Sequence, residues 1–207
     1  MRKVGIVCMI LGAALLGAAL LLLGMNRRED KQAQESAVSV MPQLVQEVQE
    51  NAAREPEITD DDLLIPIELL TPEQLEMTEV TIDGHAYIGY LSIPKLELEL
   101  PIMSTWSLPK LQIAPCRYYG SLRGEDLVLM AHNYNSHFGR ISQLELLDEL
   151  TFTDMDGKVT AFQVVGKDVV PPTAVEEVTS GTFDLTLYTC TYGGGSRIVI
   201  YCDKLVY

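Results

Sequence analysis

Basic residues are scarce in this chain. It carries 15 Lys and Arg against 29 Asp and Glu, a formal charge of −14 over 207 residues. That balance argues against a nucleic-acid binder, which needs cationic side chains facing phosphates. Histidine occurs three times and tryptophan once. The four cysteines, Cys8, Cys116, Cys190 and Cys202, form no CxxC pair and no Cys/His ligand spacing. A structural zinc site is not indicated, and no metal or cofactor is expected. Hydrophobic residues are not scarce: at 47% they are enough for a real core, which argues against wholesale disorder.

The acidity is unevenly spread, and its distribution divides the chain into three zones. Residues 1–31 hold five basic and two acidic residues, residues 32–83 one basic and 13 acidic, and residues 84–207 nine basic and 14 acidic. Within the first zone Val4 to Met25 is an uncharged run of 22 residues, about 33 Å of helix and enough to cross a bilayer. It ends in Met25-Asn26-Arg27-Arg28, which lacks the small-x-small pattern of a cleavage site. Residues 1–28 therefore read as an uncleaved signal anchor. Residues 29–83 read as an acidic stalk and N-terminal arm, broken into pieces by Pro42, Pro56, Pro66 and Pro72. Met41, Leu44, Val45 and Val48 fall at helical spacing within it. The apolar cluster from Leu63 to Leu70 is expected to pack on the third zone, with a helix start at Thr71-Pro72-Glu73.

Residues 84–207 read as an all-β domain. Short apolar runs rich in Val, Ile, Thr and Tyr are separated by turn residues. The expected strands are Tyr87–Ile93, Leu96–Met103, Asp126–Ala131, Leu150–Phe152, Val159–Val170, Phe183–Thr189 and Arg197–Leu205. Helix is expected only as one or two turns at Leu108–Ile113 and Gln143–Leu150. About seven short strands imply a small barrel or sandwich.

Cys190 ends the run Leu185-Thr186-Leu187-Tyr188-Thr189-Cys190 and precedes the loop Gly193-Gly194-Gly195-Ser196. A nucleophile at a strand end is held by a rigid sheet yet stays open to substrate. Arg197 opens the next strand and can return beside Cys190, where a guanidinium favours thiolate and can hold an oxyanion. His132 also follows an apolar strand, Asp126 to Ala131, and is the best-placed proton carrier. His85 sits in a polar turn and His137 in a polar loop. Cys116 and Cys202 could pair as a disulfide or stay as two packed thiols.

These pieces resemble the sortases. Thr186-Leu187-Tyr188-Thr189-Cys190 matches that family's Thr-Leu-x-Thr-Cys signature, and Arg197-Ile198-Val199-Ile200 sits where it places its arginine and apolar strand. Leu127 to His132 looks like the strand that ends in its catalytic histidine, and Tyr87 to Pro94 and Leu100-Pro101-Ile102 resemble its first two barrel strands. The resemblance implies an eight-stranded β-barrel with short helices behind an N-terminal transmembrane helix. It also implies a single-pass protein of a Gram-positive cell membrane with the catalytic domain outside. The implied reaction is cleavage of a C-terminal sorting signal of surface proteins or pilins, with acyl transfer to the amine of a cell-wall precursor or a pilin lysine. In that reading Cys190 is the nucleophile, His132 the general acid and Arg197 the oxyanion partner, while Thr189, Ala131 and Asn133 are substrate-binding. Ala131 stands where the family often has Gly. The loop after His132 looks most like class B sortases, yet only a dozen residues, Pro171 to Thr182, occupy the place of that class's long helical insertion. Two other functions fit the same residues: a thiol hydrolase on this fold, and a non-catalytic, membrane-tethered binding module.

Overall fold

The computed structural model describes residues 2–54, 71 and 75–205. The first element is a single helix, α1 (Arg2–Ala53). Nine strands follow: β1 (Val80–Ile82), β2 (His85–Ile93), β3 (Leu98–Met103), β4 (Cys116–Tyr119), β5 (Leu127–Ala131), β6 (Glu149–Asp154), β7 (Val159–Val170), β8 (Leu185–Cys190) and β9 (Arg197–Lys204). Single-turn helices α2 (Leu108–Leu111) and α3 (Val175–Val178) lie in the β3–β4 and β7–β8 connections.

The sheet runs β1-β2-β3-β4-β5-β8-β9-β7-β6, and pairing of β2 with β6 closes it. Eight strands, β2 to β9, thus form a barrel, as expected. The short β1 pairs with the first residues of β2 through Val80 and Tyr87, leaving Gly89 to Ser92 of the same strand to pair with β6. Closure needs Gly89. Its φ is +140° at a register shift in β2, and an added Cβ would collide with the Thr153 carbonyl. Pairing is antiparallel except at β3–β4 and β5–β8.

Alternation fills the barrel. Leu127, Leu129 and Ala131 of β5 and Leu185 and Leu187 of β8 point inward with Phe152, Phe162 and Ile200. At about 25 cal/mol per Å² of apolar area, such burial supplies the main drive to fold.

The structure departs from the sequence reading in three places. α1 does not break at Pro42 but continues for eleven residues beyond it. Ala33, Ala37, Val40, Leu44 and Val48 form a buried stripe, with Val40, Leu44 and Val48 packed on Ile82, Tyr87 and Met103 outside the barrel. Pro42 and Val38 both lie on the exposed side. The one helical hydrogen bond that Pro42 forgoes would be to Val38, so water can take the orphaned carbonyl. Second, Gln143–Leu150 is not helical: a 3-10 turn at Ile141–Gln143 leads into β6. Third, β1 and β4 were not expected. The apolar run from Leu63 to Leu70 and the helix start at Pro72 and Glu73 lie outside the described residues.

The first half of α1 is long and apolar enough to cross a membrane, and its described side chains, Leu15, Leu16 and Leu20 to Leu22 among them, are exposed. Further on, Asn51 Nδ2 donates to the Met155 carbonyl at 3.0 Å, so α1 crosses the barrel to the β6–β7 turn.

Candidate active site

Three strand ends meet at one rim of the barrel. β5 and β8 run parallel with Ala131 opposite Thr189, so His132 and Cys190 each lie one residue beyond that pair. β9 returns antiparallel to β8 and sets Arg197 opposite Cys190. The three residues chosen from sequence are therefore brought together on adjacent strands, and all three are half-buried.

Thr189 and Ala131 occupy a different position from the one expected of substrate contacts. They are 1% and 3% exposed and face the barrel interior. The Thr189 hydroxyl donates to the Ala131 carbonyl at 2.9 Å, a buried bond that staples the strand before Cys190 to the strand before His132. Asn133 is half-buried at the start of the loop after His132. An added Cβ at Gly139 would run into the Asn133 carbonyl, so the loop folds tightly back on itself. Phe138 N donates to the His132 carbonyl at 3.2 Å, closing it.

The guanidinium of Arg197 is held at three points. Nε donates to the Tyr188 hydroxyl at 3.2 Å, and Nη1 donates to the carbonyls of Gly194 at 2.9 Å and Ser196 at 3.1 Å. Among the described residues Nη2 makes no hydrogen bond, which leaves two N–H groups for an incoming oxygen.

The two histidines of this loop sit in different environments. Burial lowers the pKa of His132, and the Glu29 carboxylate of α1 opposes that shift. Tyr134 lies between the two rings of the loop, with centroids 5.0 Å from His132 and 5.6 Å from His137. His137 is fully buried, and among the described residues neither ring nitrogen makes a well-formed hydrogen bond. Burial, with His132 nearby, pushes its pKa down to about 4. It is therefore uncharged at neutral pH and packs against Tyr134.

Two elements of the site were not read from sequence. Asp30, on α1, accepts from Ser136 N at 2.9 Å and from Ser136 Oγ at 2.6 Å, docking the loop on the helix beside Glu29. No local signal marked this, because Pro42 suggested that the helix could not persist. Tyr188 was legible: two residues before Cys190 on an alternating strand, it shares the outward face of Cys190.

Cys116 and Cys202 are free and buried in separate clusters, Cys116 beneath α1 and Cys202 inside the barrel. Burial raises both thiols, Cys116 to about 12. Neither is poised to react. Among the described residues, no group of three or more His, Cys, Asp or Glu is arranged to hold a metal ion.

A groove of about 570 Å³ lies on the outer face of β4 and is lined by Trp106, Arg117, Tyr118 and Asp126 among others. It contains none of the three rim residues, but Tyr118 stacks on Tyr188 with centroids 5.9 Å apart. The groove therefore borders the site.

Solved structures share this barrel. Sortase C1 of Streptococcus agalactiae is 25% identical, with a TM-score of 0.55 over 67% of this chain and 79% of that one. Streptococcus pneumoniae sortase C is 25% identical, with a TM-score of 0.56 over 80% and 97%. A Clostridium perfringens sortase C, solved with its C-terminal cell wall sorting motif, is 24% identical at a TM-score of 0.60 over 83% and 100%, a likeness of fold. No curated protein matches the chain. The Sortase domain profile matches residues 91–205, which run from the middle of β2 to just past β9 and so take in His132, Cys190 and Arg197. With more than half of its 207 residues matched on a barrel closed in this way, the chain belongs to the sortase family.

Proposed function

We propose that this protein is a membrane-anchored cysteine transpeptidase that cleaves a C-terminal sorting signal of surface proteins or pilins and passes the acyl group to an amine. The observation that carries the reading is the convergence of Cys190, His132 and Arg197 at one end of three neighbouring strands. In the first step the Cys190 thiolate attacks the scissile carbonyl carbon. The oxygen, now negative, takes hydrogen bonds from the free Nη2 of Arg197. His132, protonated, gives its proton to the departing amine, and the C–N bond breaks to leave a thioester. In the second step an amine attacks the thioester, His132 removes its proton, and the sulfur leaves as thiolate. Burial disfavours the charged imidazole of His132, and the Glu29 carboxylate opposes that shift.

Residues 1–28 act as the anchor, residues 29–83 as the segment that joins it to the barrel, and residues 84–207 as the catalytic domain, held at the outer face of a Gram-positive cell membrane. The uncharged run, its exposed side chains and family membership support that placement. Asn133, half-buried beside His132, is the contact to substrate, and Thr189 and Ala131 support the site from inside the barrel.

The test is cleavage of a library of Leu-Pro-x-Thr-Gly-like peptides by the full chain in detergent, with an amine supplied. Ligated product and a Cys190 thioester in the mass spectrum are expected, both absent in Cys190→Ala. Hydrolysis alone at saturating amine would support a thiol hydrolase, and activity that survives Cys190→Ala would end the proposal.

A further inference from the structure

The aromatic residue inside the signature strand has no role in the chemistry described so far. Tyr188 occupies the middle of Thr186-Leu187-Tyr188-Thr189-Cys190 and faces outward with Cys190. Its ring stacks on Tyr118 of β4 at 5.9 Å, and Tyr118 packs on Trp106 at 5.8 Å. Its hydroxyl accepts the Nε–H of Arg197.

We infer that Tyr188 is a positioning residue for Arg197: it fixes the guanidinium so that Nη2 faces the carbonyl under attack at Cys190. The inference rests on the oxyanion role proposed for Arg197. The other two tethers of the guanidinium, the Gly194 and Ser196 carbonyls, belong to the β8–β9 loop, where Gly193 and Gly194 both hold positive φ. Tethers on such a loop shift whenever the loop does. Tyr188 belongs instead to the strand that carries the nucleophile, and the stack with Tyr118 and Trp106 limits its ring rotation. It therefore references the arginine to the same rigid element as the sulfur. A planar guanidinium held at both Nε and Nη1 has one orientation left, whereas one held at Nη1 alone can swing. This gives a tyrosine at that position a function separate from packing, because the hydroxyl and not the ring makes the contact.

The experiment measures thioester formation by the full chain in detergent, using the peptide that wild type cleaves best from the library. Four proteins are compared: wild type, Tyr188→Phe, Arg197→Ala and the double variant. Tyr188→Phe keeps the stack and removes one hydrogen bond to a charged group. Its kcat for acylation should fall about tenfold while KM stays within about twofold. In the Arg197→Ala background Tyr188→Phe should change nothing further, since its effect runs through the arginine. A wild-type kcat for Tyr188→Phe beside a crippled Arg197→Ala overturns the positioning role and leaves the proposed function standing. Equal losses from Tyr188→Phe in both backgrounds also overturn it, because the tyrosine would then act independently. Full activity in Arg197→Ala removes the oxyanion reading and this inference with it. If Tyr188→Phe does not fold, Tyr118→Leu replaces it: unstacking the tyrosine should lower kcat in the same direction only when Arg197 is present, and an unchanged kcat refutes the inference.

Discussion

His137 makes folding stability depend on pH in a way that can be worked from its surroundings. The ring is fully buried, lies 5.6 Å from Tyr134, and is pushed by burial and by His132 from the usual 6.5 to about 4; Asp30 and the Ile113 backbone pull weakly the other way. Its folded pKa is below its unfolded one, so the unfolded chain binds the extra proton. The stability it supports is therefore complete above pH 6.5 and is lost as pH falls through the window from 6.5 to 4. Integrated across that window the loss approaches about 3 kcal/mol, and at pH 5 it is about 2 kcal/mol. The perturbation is His137→Leu, which removes the titrating ring and fills most of its space. Urea unfolding of both proteins in detergent from pH 8 to pH 4 reads the effect. Asp154, whose pKa is raised by burial, acts with the opposite sign, and His132 with the same sign, but both are present in both proteins and cancel in the difference. Wild type should lose about 2 kcal/mol more than the variant between pH 7.5 and pH 5. Parallel curves would refute the argument, since a ring that stays neutral only when folded must leave this trace.

Arg197→Lys keeps the charge but cannot hold Tyr188, the loop carbonyls and a substrate oxygen together; single-turnover acylation should drop about 10²-fold. Leu44→Ala opens a cavity where α1 packs on the barrel, and should cost about 2–5 kcal/mol in denaturant unfolding with little change in the barrel's own strands by hydrogen exchange. Gly89→Ala forces a side chain onto the β2–β6 seam at positive φ, and a loss of at least roughly 2 kcal/mol with faster exchange at Gly89 to Ser92 is expected; a neutral effect would mean that the seam is not what closes the barrel. The pH profile of kcat/KM should be bell-shaped, and His132→Ala should abolish the limb that reports the acid, measured against His137→Leu, which retains it.

Much of the barrel could be read from alternation. Val159–Val170 is observed with the same bounds as expected, and Leu127–Ala131 and Arg197–Lys204 within one residue. Two strands escaped because they carry too little pattern. β1 is three residues long, and β4, Cys116 to Tyr119, has Arg117 in its middle, bonded to the Ser104 carbonyl at 2.8 Å. The catalytic candidates were legible for a simple reason: a turn and a strand end are local signals, and Cys190 and Arg197 are separated only by a hairpin. The continuity of α1 through Pro42 was not legible. The helix's buried face uses Ala33 and Ala37, small residues that give almost no hydrophobic contrast, and local propensity makes Pro42 a stop. Tertiary packing on Tyr87 and Met103 overrides it, and no window of neighbouring residues contains that information.

The order of strands in the ring has a consequence for how the protein folds. β9, the latest strand in chain order, sits between β8 and β7, and β5, which leads to His132, precedes its partner β8, which ends at Cys190, by 58 residues. No contiguous fragment short of β9 can complete the ring or bring a guanidinium to the thiol. The β5–β8 pairing joins residues 58 apart, and loop-closure entropy makes so distant a contact slow, whereas Cys190 and Arg197 meet across a hairpin. Before β9 pairs, Cys190 lies on an unfinished sheet with no guanidinium opposite it. Under the proposed chemistry Cys190 becomes competent only when the last strand is laid in, so the completeness of the fold acts as its timer.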